Sequence, residues 1–178
     1  YGPFLAAIII VSITSGKKGL GILAPHNPFS GGLVNLPGTA VIADYIGAAY
    51  LLAHLLGARP GHPPPFPSLA ILTQLLLLGG LWEEPGWTGY ALPKLQERTA
   101  AKRHGRLLAA LILGSFRAIW HIPLFLYGTL PWYDVFVFIF DFQFLISWLY
   151  QNSKGSVPAV MLFHYASNVL TGAMMLAA

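Results

Sequence analysis

The chain has no cysteine among its 178 residues. That excludes disulfides, thiolate metal ligands and a cysteine nucleophile. Charge is also scarce: Asp, Glu, Lys and Arg make up 9% of the chain, against about 25% in an ordinary soluble domain. Only six side chains are acidic, while 56% of residues are hydrophobic. A composition so poor in charge predicts a multi-pass membrane protein. The formal net charge of +4 does not point to nucleic acid, because most lysines and arginines lie in short connectors between apolar runs.

A membrane-crossing helix needs about 20 mostly apolar residues. Six candidate runs emerge, at 3–15, 33–56, 68–92, 107–130, 132–151 and 157–178. Backbone groups in lipid must be satisfied within their own segment, so the runs are expected to be helical. The expected fold is all-α, a transmembrane bundle of about six visible helices. Residues 1–178 read as one membrane-embedded domain, clipped at its N-terminus because Tyr1 opens inside an apolar segment. The connector Arg59-Pro60-Gly61-His62-Pro63-Pro64-Pro65 cannot continue a helix. Residues 152–156 read as a short turn before Pro158, a first-turn proline.

Lysine and arginine fall unequally between the loops. Lys17 and Lys18, then Lys94, Arg98, Lys102, Arg103 and Arg106, then Lys154 occupy the loops after the odd-numbered segments; the even-numbered ones carry Arg59 alone. Positive charge collects on the cytoplasmic side. Glu83 and Glu84, near the most basic loop, are therefore expected towards the cytoplasmic leaflet. The stretch 93–106, with Leu95 and Ala100 among its basic residues, is expected to lie along the interface.

Against this apolar background a few polar groups stand out: Asp44, Glu83, Glu84, Arg117, His121, Asp141, His164 and Asn168. Ionisable groups at lipid depth normally face the bundle interior and mark pathways or reactive sites. Adjacent helical residues point about 100° apart, so Glu83 and Glu84 are expected to have separate tasks, one facing a cavity and the other holding a neighbour. Pro85 removes a backbone donor and disfavours helix at Glu84, which predicts a kink or opening there. Arg117 and His121 share one helical face, and so do His164 and Asn168. A carboxylate with His121 can take a proton from water that attacks a carbonyl. His164 and Asn168 can donate to the developing oxyanion, at about 2.7–4 kcal/mol per donor in a dry site.

Three segments carry a family resemblance: Glu83-Glu84-Pro85-Gly86-Trp87-Thr88 through Gln96, Trp120-His121-Ile122-Pro123-Leu124-Phe125, and His164-Tyr165-Ala166-Ser167-Asn168. Together and in this order they resemble the motifs of the CPBP family of intramembrane proteases, which includes CAAX prenyl endopeptidases and Abi bacteriocin-processing and immunity proteins. The resemblance implies an intramembrane endopeptidase with a conical polar cavity open to the cytoplasm. Glu83 would activate water with His121, His164 and Asn168 would form the oxyanion hole, and Glu84 would assist or support. The implied partners are the lipid bilayer and a peptide or protein substrate, prenylated or not. The implied location is the cell membrane, with no cofactor.

Two departures stand out. Thr88 occupies the position where the family pattern has arginine, and Arg117 appears four residues before His121. Charge balance suggests that Arg117 replaces the lost counter-charge of Glu84 from the adjacent helix. Two other readings compete with the endopeptidase. One is a zinc protease with Glu83, His121 and His164 as metal ligands, although no His-Glu-x-x-His helix is present. The other is a non-proteolytic Abi-like immunity or transport protein, which gains weight from Thr88. Asp44 and Asp141 match no motif, and His26, His54, His62 and His104 are expected to be solvated. The phenylalanines at 136, 138, 140, 142 and 144 are expected to face lipid and neighbouring helices, with Trp132, Tyr133, Trp148 and Tyr150 as interface anchors.

Overall fold

A computed structural model describes residues 2–19, 21, 44, 47, 51, 55, 68–78, 80–128 and 142–175. The regular elements among these residues are all helical, in keeping with the expected all-α class. They are α1 (Gly2–Gly19), α2 (Leu69–Leu78), α3 (Gly80–Gly86), a π-helical turn (Trp87–Ala91), α4 (Leu92–Thr99), α5 (Gly105–Trp120), α6 (Ile122–Leu126), α7 (Gln143–Asn152) and α8 (Val157–Met175). The expected run 33–56, apart from residues 44, 47, 51 and 55, and the first part of 132–151 lie outside the described residues. So do Asp141, His26, His54, His62, Phe136, Phe138, Phe140, Trp132 and Tyr133.

Among the described residues no helix is long and apolar enough to cross a membrane. Two of the runs that were expected to be continuous are divided. Run 107–130 breaks at His121, where Pro123 has no N–H to carry the helix on, and a short α6 follows. Run 68–92 passes through α2, α3 and the π-helical turn.

Pro85 does not open the helix as the sequence suggested. Both Glu84 and Pro85 lie within α3, and the irregularity comes after them, where the backbone widens so that the Leu92 N–H reaches the Trp87 carbonyl. Close packing on two sides holds α3 in place. A Cβ at Gly86 would collide with the backbone of Pro3 and Phe4 in α1, and one at Gly80 would meet the Met161 carbonyl of α8. The small residues thus let α3 sit between α1 and α8 at backbone distance. Phe4 and Trp82 add a tilted ring contact at 5.5 Å.

Two apolar clusters hold the remaining helices. Ile146 and Leu149 of α7 pack against Val160 and Phe163 of α8. Leu92 of α4 packs against Ala109 and Leu113 of α5, flanked by Trp87 and Leu95. Each fully buried Leu, Ile or Phe of this kind contributes about 1.5–3 kcal/mol. Tyr150, expected as an interface anchor, is partly buried and packs against both clusters. Within 93–106, Leu95 packs inward and Ala100 is exposed. Ser156 accepts from the Ala159 N–H at 3.3 Å and caps α8, with Pro158 in its first turn.

Candidate active site

The three helices that converge on the polar residues are α3, α5 and α8. Packing at Gly80 sets Glu84 opposite α8, and there the His164 ring meets it: His164 Nδ1 lies 2.7 Å from Glu84 Oε1. From α5, Arg117 Nη2 lies 2.7 Å from Oε1 and 2.7 Å from Oε2. One guanidinium nitrogen therefore spans the carboxylate, sharing an N–H between the two oxygens. Thr88, brought to the same side by the π-helical turn, donates its hydroxyl to Oε2.

These contacts saturate Glu84. A carboxylate offers about four acceptor positions, and here Oε1 receives His164 and Arg117 while Oε2 receives Arg117 and Thr88. Glu84, Thr88 and Arg117 are fully buried and His164 nearly so. Burial without partners would be prohibitive for such charges, so paired donors are what the site requires.

Glu83 is placed differently. Its side chain is 13% exposed, and its Oε2 lies 3.9 Å from Arg117 Nη1, beyond hydrogen-bond range. Glu83 Oε2, Arg117 Nη1 and Arg117 Nε are buried polar atoms without a hydrogen-bond partner among the described residues. The two carboxylates thus divide their tasks: one is consumed by protein donors, and the other keeps an acceptor available.

His121 is held by the backbone of the residue that holds Glu84. Its N–H lies 3.1 Å from the Arg117 carbonyl, and its Nδ1 lies 2.7 Å from the same oxygen. A carbonyl can only accept, so Nδ1 carries the proton and Nε2 is the acceptor of the neutral ring. Both Glu83 and His164 lie within electrostatic reach of that ring. Asn168 lies one turn beyond His164 on α8 and is half-buried.

Two aromatic residues complete the site. The Arg117 guanidinium carbon is 5.6 Å from the Trp87 ring centroid and 5.6 Å from that of Phe142. A desolvated cation between two aromatic faces gains about 2 kcal/mol or more. Phe142 also meets the His164 ring edge-on at 5.0 Å. Trp87 falls inside the first motif, but nothing in the local sequence joins Phe142 to Arg117. Of the remaining sequence candidates, Asp44 and His104 are exposed and lie outside this cluster.

The structure does not gather Glu83, His121 and His164 as a set of metal ligands. Among the described residues no group of three or more histidines and carboxylates is placed to hold a metal ion.

The buried carboxylate, guanidinium and imidazole groups come from three helices, and all of them lie within the span that comparison with known proteins matches. The sequence profile of the Rce1-like family, type II CAAX prenyl endopeptidases, matches residues 65–170. The chain belongs to that family, which bears out the CPBP resemblance. It is similar to CAAX prenyl protease 2 of Methanococcus maripaludis, 29% identical over an alignment that covers 53% of this chain. The same alignment covers 37% of that relative's length. No solved structure matches the chain.

Proposed function

We propose that this chain is a membrane-embedded endopeptidase that hydrolyses a peptide bond near the cytoplasmic face of the bilayer. The observation that carries this reading is the contrast between Glu84, saturated by four donor contacts, and Glu83, whose Oε2 has no hydrogen-bond partner among the described residues. A saturated carboxylate cannot accept a proton from water without losing a buried partner; Glu83 can.

Glu83 Oε2 and Arg117 Nη1 are 3.9 Å apart, less than two hydrogen-bond lengths of about 2.8 Å, so one water can bridge them. That water accepts from Nη1 and donates to Glu83. Glu83, assisted by His121, takes the proton as the water oxygen attacks the scissile carbonyl. The carbonyl oxygen becomes an oxyanion, to which His164 and Asn168 donate. Because Glu84 holds His164 Nδ1, the donor must be Nε2–H, so the ring is protonated on both nitrogens at that step with Glu84 as its counter-charge. The C–N bond then breaks, the proton passes from Glu83 or His121 to the leaving amine, and a carboxylate and an amine depart. Glu84 and Arg117 position the set and do not touch the reacting atoms.

The family and the relative's name, CAAX prenyl protease 2, support a substrate whose cleaved bond lies beside a lipid-modified cysteine at a protein C-terminus. The apolar composition and the uneven lysine and arginine distribution support membrane placement with the basic 94–106 loop on the cytoplasmic side. The non-proteolytic reading drew its weight from Thr88; with the Arg117 cation beside Glu84, Thr88 no longer implies a charge deficit.

The test is hydrolysis of a fluorogenic peptide ending in a prenylated Cys-aliphatic-aliphatic-X sequence, with the chain in membranes. Wild type should cleave it and Glu83→Gln should not. Equal turnover by both, or none by wild type on prenylated and unprenylated peptides alike, would sink the reading.

A further inference from the structure

Away from the Glu84 site, the turn between α4 and α5 carries two adjoining cavities. One, of about 410 Å³, is lined by Leu107, Leu108, Leu111 and Phe144 together with Lys102 and His104. The other, of about 670 Å³, is lined by Gln96, Arg103 and Arg106 among others, and shares Lys102, His104 and Leu107 with the first. An apolar trough between α5 and α7 thus runs into a cationic basin. Lys102, Arg103 and Arg106 line the basin, and no carboxylate does so among the described residues. The nearby Glu97 is engaged by Lys94 at 2.9 Å.

The basin is built on a fixed turn. The Thr99 hydroxyl lies 2.7 Å from the Gly105 carbonyl and 2.9 Å from that of Leu95, and the Lys102 N–H reaches the Thr99 carbonyl at 2.9 Å. A Cβ at Gly105 would strike the Thr99 carbonyl, so glycine is what lets the turn close. Gln96 Nε2, on a residue lining the basin, is buried without a partner and offers a further donor. In the trough, Leu107 and Leu111 present exposed apolar surface.

We infer that this two-part cavity binds one anionic phospholipid, with an acyl chain along the trough and the phosphate in the basin. Three cations and an unpaired amide donor with no competing carboxylate select a phosphate anion. The continuous apolar trough selects an anion that carries a hydrocarbon chain, which neither free phosphate nor a nucleic acid does. The inference rests on the membrane placement proposed above, where this loop faces the leaflet in which anionic lipids attract basic segments. It does not depend on the peptidase chemistry, since none of the lining residues belongs to the Glu84 cluster.

Native mass spectrometry of the detergent-solubilised chain, with dioleoyl phosphatidylglycerol or dioleoyl phosphatidylcholine, tests it. The expected result is one phosphatidylglycerol adduct retained at least about tenfold more strongly than the phosphatidylcholine one. K102Q/R103Q/R106Q should abolish that preference, and the charge-keeping K102R/R103K/R106K should preserve it. L107S/L111S should weaken retention of both lipids, and inorganic phosphate should not displace the adduct. Equal retention of the two lipids, a preference that survives charge removal, or one lost in the charge-keeping variant overturns the inference. Displacement by inorganic phosphate would mark a plain anion site, and displacement by farnesol an isoprenoid groove; either also overturns it. A chain that stays monodisperse without detergent refutes the membrane placement itself, whereas one that needs detergent yet treats both lipids alike refutes only the lipid site.

Discussion

Arg117 and Glu84, 33 residues apart in sequence, meet with one guanidinium nitrogen 2.7 Å from each carboxylate oxygen, both side chains fully buried. The cation that balances the carboxylate thus comes from α5, while Thr88, one turn beyond Glu84, contributes only a hydroxyl. Arg117 also holds His121 through its carbonyl oxygen, so one residue ties the carboxylate of α3 to the imidazole at the end of α5.

Removing the cation should therefore destabilise the protein. Arg117→Leu leaves Glu84 charged and buried against a neutral side chain, a loss of about 3–5 kcal/mol. Adding Thr88→Arg should restore a counter-charge beside Glu84 and recover much of that loss. Arg117→Lys should recover little, because an ammonium lacks the planar fork and stacks less well between Trp87 and Phe142. Chemical denaturation of the three variants in one detergent checks this; no recovery in the double variant would mean that Arg117 does not act as the exchanged counter-charge.

The two carboxylates should separate by experiment. Glu83→Gln should lower kcat by about 10²–10⁴-fold, the usual weight of a general base, with little change in melting temperature. Glu84→Gln should lower the melting temperature as well, because the amide NH₂ cannot accept the bonds that the carboxylate oxygen did and leaves buried donors unmatched. Paired activity and melting measurements that gave both variants the same profile would contradict the division of labour.

Asn168→Ala removes a half-buried amide one turn from His164. If it serves the oxyanion, kcat should fall by about 10²–10³-fold, equivalent to about 2.7–4 kcal/mol, with KM nearly constant. A rise in KM with kcat unchanged would make it a substrate-binding group instead.

Phe142→Leu keeps an apolar side chain of similar burial but loses one aromatic face over Arg117 and the edge contact with His164. Stability should fall by about 0.5–2 kcal/mol, and turnover should fall with it because the His164 ring is less firmly held. Stability and activity equal to wild type would show that Phe142 packs there without supporting the site.

Metal removal should be without effect. Turnover after treatment with a strong chelator and dialysis should equal that of untreated protein, since among the described residues no group of three or more histidines and carboxylates is placed to hold a metal ion. Loss of activity that zinc restores would revive the three-ligand reading.

Much of the site was legible in the sequence because charge within long apolar runs is scarce and therefore conspicuous. Glu83, Glu84, Arg117, His121 and His164 stood out against apolar neighbours, and i,i+4 spacing put Arg117 with His121 and His164 with Asn168. Charge balance also suggested Arg117 as the partner of Glu84. The helix around Pro85 was misjudged, since local propensity favoured a break that packing of Gly80 and Gly86 against α8 and α1 overrides.

The sequence by itself determined the helical class and the short set of ionisable groups around which a site must form. Composition and periodicity are local properties and can be read without coordinates. Which carboxylate is saturated and which keeps an acceptor was decided only by the tertiary structure. So was the placement of Arg117 between Trp87 and Phe142. The physical reason is that hydrogen-bond capacity is filled by whichever donors the packing of α3, α5 and α8 brings within about 3 Å, and no spacing along the chain specifies that approach.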